Sequence, residues 1–195
     1  MWNRRSLKRN LEKGREDMRG KCSLLFIGLF ALLLVVATMP LYAEEGTVKA
    51  MSAWQSQGDL FRAGENKGYF LGAFGGVLFV EDKKGSLDAA HILCPGTMDI
   101  NLEDSSTKGE GKCLITDRED NLIFAKWECS GIMLEGCEGR FDITGGTGKF
   151  DGITGSGDFV VRTAIGELSM DIPINGIQAT SVGLALWPNL HYKFP

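Results

Sequence analysis

From residue 44 onward, apolar and polar residues alternate in short runs, the period of two expected when successive side chains point to opposite faces of a strand. The clearest run is Leu122–Cys129. Ile123, Ala125, Trp127 and Cys129 share one face, with Lys126 and Glu128 on the other, which predicts a half-buried strand. Lys112–Thr116 precedes it across a polar turn, so the two predict a hairpin. Upstream, Thr47–Trp54 reads as a first strand and Asp59–Lys67, with Gly64 and Asn66, as a loop or a short turn of helix. Tyr69–Val80 is a long apolar run broken by Gly72, Gly75 and Gly76, after which Lys83-Lys84-Gly85 turns the chain. Ala89–Leu102 is the next strand, with Pro95-Gly96 marking a bulge or break, and Glu103–Gly111 is a polar loop. Near the end of the chain, Ser169–Ile177 reads as a strand, and Val182–Trp187 leads into a segment containing proline and aromatic residues.

Strands at such short spacing, without an amphipathic helix, predict an all-β fold and favour a single antiparallel β-barrel over a layered α/β architecture. A β-sandwich is the alternative. Residues 44–195 are long enough for one domain with its own core, and no linker or repeat divides them.

The stretch from Glu138 to Arg162 predicts a strand, a tight turn at Gly145-Gly146-Thr147-Gly148, and a long second strand containing Gly152, Gly155 and Gly157. Glycines inside a strand mark bulges, bends or close approach of another backbone. Lys149 does not make this a phosphate loop. Ile143 and Phe150 stand where such a loop needs a glycine and a hydroxyl residue. A dinucleotide fingerprint fails by one residue at Gly152, and no cofactor is expected.

Gly145 to Gly152 fits the pattern Gly-Gly-(Ser/Thr)-Gly-x-Phe-x-Gly, and Phe141-Asp142-Ile143-Thr144 forms the strand leading into it. In this the chain resembles the allene oxide cyclase and dirigent barrel group, over about twenty residues. It is also similar to small exported bacterial proteins of unknown function that carry this hairpin, a cysteine-containing strand and a Thr-Asp-rich turn. The resemblance implies a barrel of about eight strands. It also implies, as one functional class, a cyclase- or isomerase-like enzyme that confines a reactive intermediate. None of that group's cavity residues can be matched onto this chain.

Residues 1–43 read as a targeting segment. The first 21 residues carry eight Lys/Arg against Glu12, Glu16 and Asp17, and an apolar run follows from Leu24 to Ala37. Leu41 and Ala43 suit a cleavage site before Glu44, and Met18 is an alternative start. If uncleaved, Ser23–Tyr42 could anchor the chain in a membrane, which would be its only membrane contact. Cys22 precedes the apolar run rather than ending it, which argues against a lipoprotein. Either way the domain is expected outside the cytoplasm, periplasmic or secreted.

Without that segment the charge changes. Residues 44–195 hold 13 basic and 22 acidic residues, a net charge of −9, which repels phosphate backbones and makes nucleic acid a poor partner. Four cysteines remain, Cys94, Cys113, Cys129 and Cys137. An even count in an oxidising compartment predicts two disulfides, with three connectivities open. Cys94–Cys113 and Cys129–Cys137 are the expected pairs, because the first would join adjacent strands and the second a short loop. A zinc site is the competing reading, but no Cys-x-x-Cys spacing supports it.

Catalytic apparatus is sparse. His91 sits in an apolar strand and His191 near an end expected to fray, and no nucleophile elbow or His-Glu-x-x-His motif is present. Asp117-Arg-Glu-Asp-Asn121 could offer oxygen ligands to calcium, yet it lacks the alternating order of a calcium loop, and a solvated hairpin turn accounts for it better. The leading functional expectation is an exported barrel holding a small apolar ligand. The confining enzyme is the second, and a structural or envelope-interaction protein with a filled interior the third.

Overall fold

The computed structural model describes residues 44–82, 87–164, 172, 173 and 175–195. Eight strands follow one another: β1 (Glu45–Gly64), β2 (Lys67–Val80), β3 (Ala90–Asn101), β4 (Ser106–Thr116), β5 (Leu122–Ile132), β6 (Gly136–Gly146), β7 (Thr154–Thr163) and β8 (Ile177–Lys193). Each pairs antiparallel with the next, and β8 pairs with β1, so the sheet closes into an up-and-down barrel. Closure leaves no sheet edge to protect. The sandwich alternative is thereby set aside.

Alternation along the strands sorts the two faces. In β5, Ile123, Ala125, Trp127 and Cys129 are buried while Phe124, Lys126 and Glu128 are exposed, as the sequence pattern predicts. β1 carries the same rhythm much further than expected. It buries Ala50, Ser52, Trp54, Ser56 and Leu60, and the segment from Asp59 to Gly64 is strand rather than loop or helical turn. Pairing explains this, since Asp59 and Leu60 are bridged to β2 on one side and to β8 on the other. Neighbours on both sides outweigh a locally polar composition.

Other segments also depart from the sequence expectation. Residues 106–111, expected in a loop, form the first half of β4, with Thr107 and Gly109 facing inward. Pro95 and Gly96 neither bulge nor break β3, which stays in register with β2 through Ala73–Pro95 and Gly72–Gly96. Ile172, Pro173, Asn175 and Gly176 are not in a strand, and the last strand begins only at Ile177. The rest of the strand expected at 169–177, and the turn at Lys83–Gly85, lie outside the described residues. β8 runs through Pro188, where the register with β1 slips by one residue between Trp187 and Leu190. A bulge is where a strand tolerates proline. His191 is consequently inside a strand and not at a frayed end, its Nδ1 lying 2.7 Å from Thr47 Oγ1.

The Gly145–Gly152 connection is longer than a tight turn. β6 ends at Gly146, residues Gly148–Phe150 form one turn of 3-10 helix, and β7 starts at Thr154. The helical turn contradicts the expectation of a strand beginning at Lys149. Gly145, Gly148 and Gly152 have φ of +156°, +58° and +73°, so the expectation that glycine is needed for its backbone freedom holds for them. Gly152, however, belongs to the connection and not to a bent strand. Gly155 and Gly157 are in β7, where a Cβ at Gly157 would come within 2.6 Å of the Asn189 carbonyl oxygen, so these two do mark a close backbone approach.

Two ends result. The β2–β3, β4–β5 and β6–β7 connections lie at the end where the chain enters and leaves the barrel, and Phe194 N–H donates to the Glu44 carbonyl there at 2.7 Å. That end is filled by Ile115, Ile123, Ile143, Phe150, Ile153 and Leu190, all buried. The β1–β2, β3–β4 and β5–β6 connections lie at the opposite end, where β7 also ends and β8 begins.

Candidate functional site

The interior toward that opposite end is not filled. It holds a cavity of about 400 Å³, within the usual range for small-molecule sites. Its wall is aromatic. Trp54 and Trp127 each stand edge-on to Phe74 with ring centroids 5.7 Å apart, Phe141 meets Trp187 edge-on at 5.4 Å, and Phe159 stacks on Trp187 at 6.1 Å. Such pairs hold large side chains in fixed orientations, so the wall is preformed.

Trp127 owes its position to three glycines. A Cβ at Gly96 would come 2.5 Å from its Cζ2, one at Gly111 2.7 Å from its Nε1, and one at Gly109 3.0 Å from its Cζ3. The indole therefore lies flat on β3 and β4, and its bulk runs along the wall instead of across the lumen. Gly109 and Gly111 were read from sequence as loop glycines. They form this bed instead.

Both disulfides are in the wall. Cys94 is bonded to Cys113 across β3 and β4, and Cys129 to Cys137 across β5 and β6, the pairs expected from their spacing. All four cysteines line the cavity. Paired in disulfides, these cysteines offer no thiolate to a zinc ion.

Polar groups in the wall are few and uncharged. Ser56 Oγ lies 2.7 Å from Ser181 Oγ and accepts from Ser181 N–H at 3.0 Å, while Ser52 Oγ donates to the Ala53 carbonyl at 3.4 Å. Gln55, Thr107, Thr163 and Thr180 are the other polar residues among the described lining. No Asp, Glu, Lys, Arg or His side chain is among the described residues that line it. The indole N–H groups of Trp54, Trp127 and Trp187 are buried and have no acceptor within hydrogen-bond reach among the described residues.

The charged residues singled out from sequence lie elsewhere. Asp117 is fully buried as a side chain at the filled end and accepts from Glu119 N–H at 2.8 Å and Asn121 N–H at 2.9 Å. Asn121 Nδ2 donates to its second oxygen at 3.2 Å, and Lys149 Nζ lies 2.6 Å from Asp117 Oδ2 and 2.9 Å from Glu119 Oε2. Burial opposes ionisation of Asp117, but the Lys149 ammonium and the converging N–H donors outweigh it and hold its carboxyl well below the usual carboxylate range. The same bonds, from Asp117 first and then Glu119, raise Lys149. Arg118, Glu119 and Asp120 are exposed, as expected of a solvated tip, but Asp117 is buried beneath them, and its ion pair with Lys149 staples the β4–β5 connection to the β6–β7 connection. His91 lies exposed on the outer face of β3, away from the cavity.

Sequence reasoning placed the cysteines in the wall's strands but did not single out Trp54, Phe74, Phe141, Phe159 or Trp187 as site residues. Their one sequence signal is an inward parity shared with neighbouring glycines. Comparison of the chain with protein-family models, with curated proteins and with solved structures found no match.

Proposed function

We propose that this protein is a small exported β-barrel that binds an apolar small molecule inside the barrel. The observation that carries the reading is a cavity of about 400 Å³ walled by Trp, Phe, Met and disulfides, with no ionisable side chain among the described residues that line it. Burying apolar ligand surface there gains roughly 25 cal/mol per Å² before the costs of association. A wall already ordered by aromatic pairing keeps those costs low.

A filled structural barrel is disfavoured by the same cavity. A confining enzyme of the allene oxide cyclase or dirigent kind is the second reading. The closed meander of eight strands and the Gly145–Gly152 pattern favour it. The described residues of the wall offer no general acid or base, so an activity built on them would rest on holding a reactive intermediate in place.

Export is part of the proposal. Two disulfides suit an oxidising compartment, and no helix among the described residues is long and apolar enough to cross a membrane. Mass spectrometry of the protein recovered from cells should find an N-terminus at or near Glu44. A cytoplasmic product retaining Leu24–Ala37 would refute export. For binding, calorimetric titration with 2-ethylnaphthalene should give saturable one-to-one heat and a rise in Tm that grows with ligand concentration. Absence of both, with this compound and with 2-acetylnaphthalene alike, would refute the ligand-binding reading.

A further inference from the structure

We propose that the outer face formed by β8, β1, β2 and β3 is an interface on which a second copy of this chain packs. The inference is independent of what the cavity holds.

Strand register assembles this face from residues far apart in sequence. Leu186, Met51 and Phe79 lie side by side across β8, β1 and β2, and Leu184, Ala53 and Val77 form the next row. In the row after that, Val182, Gln55, Gly75 and Leu93 cross from β8 to β3. The stretches 51–58, 68–80 and 177–190 contain no Asp, Glu, Lys or Arg. The exposed positions of β4, β5 and β6, by contrast, include Lys108, Glu110, Lys126, Glu128, Glu138 and Arg140. A barrel that crossed a membrane would be apolar all round. An apolar surface on one side alone fits a partner of limited area.

Eight large apolar residues on these four strands are 37–52 % exposed. At about 200 Å² for a fully exposed residue of this size, they present roughly 700 Å² to solvent. Ordinary monomers show patches of about 300–600 Å², and a standard interface takes about 800 Å² from each partner. Asp59, paired with Leu71, and Arg162, paired with Leu184, border the patch, which gives it the charged rim of an interface.

Gly75 points the same way. Glycine weakens the interior of a strand and marks places where another group approaches closely. At its neighbours that group belongs to this chain. A Cβ at Gly72 would come 2.5 Å from the Gln57 carbonyl oxygen, and one at Gly76 2.2 Å from that of Ala53. A Cβ at Gly75 would meet only Leu93 Cδ1, at 3.7 Å, and the φ of Gly75 is not positive. Neither packing within the chain nor backbone conformation accounts for this glycine, whereas an approaching second chain does. With Ala53 and Ala73 it leaves a shallow hollow beside the ridge of Leu186, Met51 and Phe79. Ridge and hollow share one face, so two copies supply each other's complement. Both copies are acidic, and this face lets them meet without opposing carboxylates.

Sedimentation velocity of the protein as recovered from cells tests the interface. At about 100 μM the wild type should sediment as two or more copies, as expected for an interface of this size. Gly75→Glu places a charge in the hollow, where a side chain has room, and should sediment as one copy with unchanged circular dichroism. Val182→Glu should behave in the same way. Ser130→Glu adds the same charge to the exposed face of β5 and should associate as the wild type does. A wild type that stays a single copy would overturn the proposal. So would association that survives both Gly75→Glu and Val182→Glu, the pattern expected of contact through another face or through Leu24–Ala37. Loss of association in Ser130→Glu would make net charge the cause and the face irrelevant. Flotation of single copies with phosphatidylcholine vesicles, lost in Gly75→Glu, would assign the face to a lipid surface and contradict the proposal.

Discussion

At the end of the barrel where the β4–β5 and β6–β7 connections meet, Ile115, Ile123, Ile143, Phe150 and Ile153 fill the interior. Above them Lys149 ties Asp117 and Glu119 together. Toward the opposite end the same strands carry Trp127, Phe141, Phe159 and two disulfides around open space. β5 passes through both regimes within one strand, from Ile123 and Ala125 to Trp127 and Cys129. The lesson is a division of labour along the barrel axis. Branched aliphatic packing and an ion pair on the buried Asp117 stabilise one half. The other half keeps a space open by bracing its wall with covalent links and edge-on rings, where filling it would have been the simpler way to stability.

If the filled end carries the stability, its deletion should be the costliest change. Ile123 is fully buried, and Ile123→Ala should destabilise by about 2–5 kcal/mol. Urea unfolding measures this. A loss no larger than that of a surface substitution would break the comparison. The braced half should depend instead on its disulfides. Reduction should cost about 2–4 kcal/mol per bond in the loop-closure estimate. The Cys94–Cys113 link spans 19 residues in sequence against 8 for Cys129–Cys137, so it should contribute more. Alkylation of the exported domain, residues 44–195, under denaturing, non-reducing conditions should find no free thiol.

A smaller effect is expected at the glycine bed. Gly96→Val would drive a side chain into the Trp127 ring and should cost about 1–3 kcal/mol, with a change in near-UV circular dichroism as the indole tilts into the lumen. Unchanged spectra and stability would mean that the bed does not hold the ring.

The ion pair gives the most selective test. Asp117 has its carboxyl lowered in the folded state, so its contribution is present above the ordinary carboxylate range and is lost as pH falls below about 4. Asp117→Asn should lower Tm at neutral pH and flatten the acid limb of a Tm–pH curve. Lys149→Ala should do the same to a lesser degree, since Lys149 is one of several partners of Asp117. An acid limb unchanged in both variants would show that this pair does not stabilise the filled end.

Much of this was legible in the sequence, because the barrel's alternation is local. Ile123–Cys129 announced its two faces, and the cysteine pairs followed from placing strands side by side. The misread segments share one cause. Asp59–Gly64 and Ser106–Gly111 look like loops because they are polar or glycine-rich, and what makes them strands is pairing with distant neighbours on both sides. Asp117 looked solvated with the rest of its turn because its partner Lys149 comes from a different connection. The cavity was the least legible. A space is set by how eight inward-facing rows meet, and a tryptophan on a glycine bed reads the same locally as one that plugs the lumen.

The division between a filled half and an open half is tested most directly by filling the open half. Ala185 is a small inward residue of β8 on the cavity wall. Calorimetric titration of 2-acetylnaphthalene should show one-to-one binding to the wild type. With Ala185→Phe that binding should be lost, while Tm stays within a few degrees because the filled end is untouched. Unaltered binding in the filled variant, confirmed as folded by its Tm, would place the ligand outside the barrel and contradict the account.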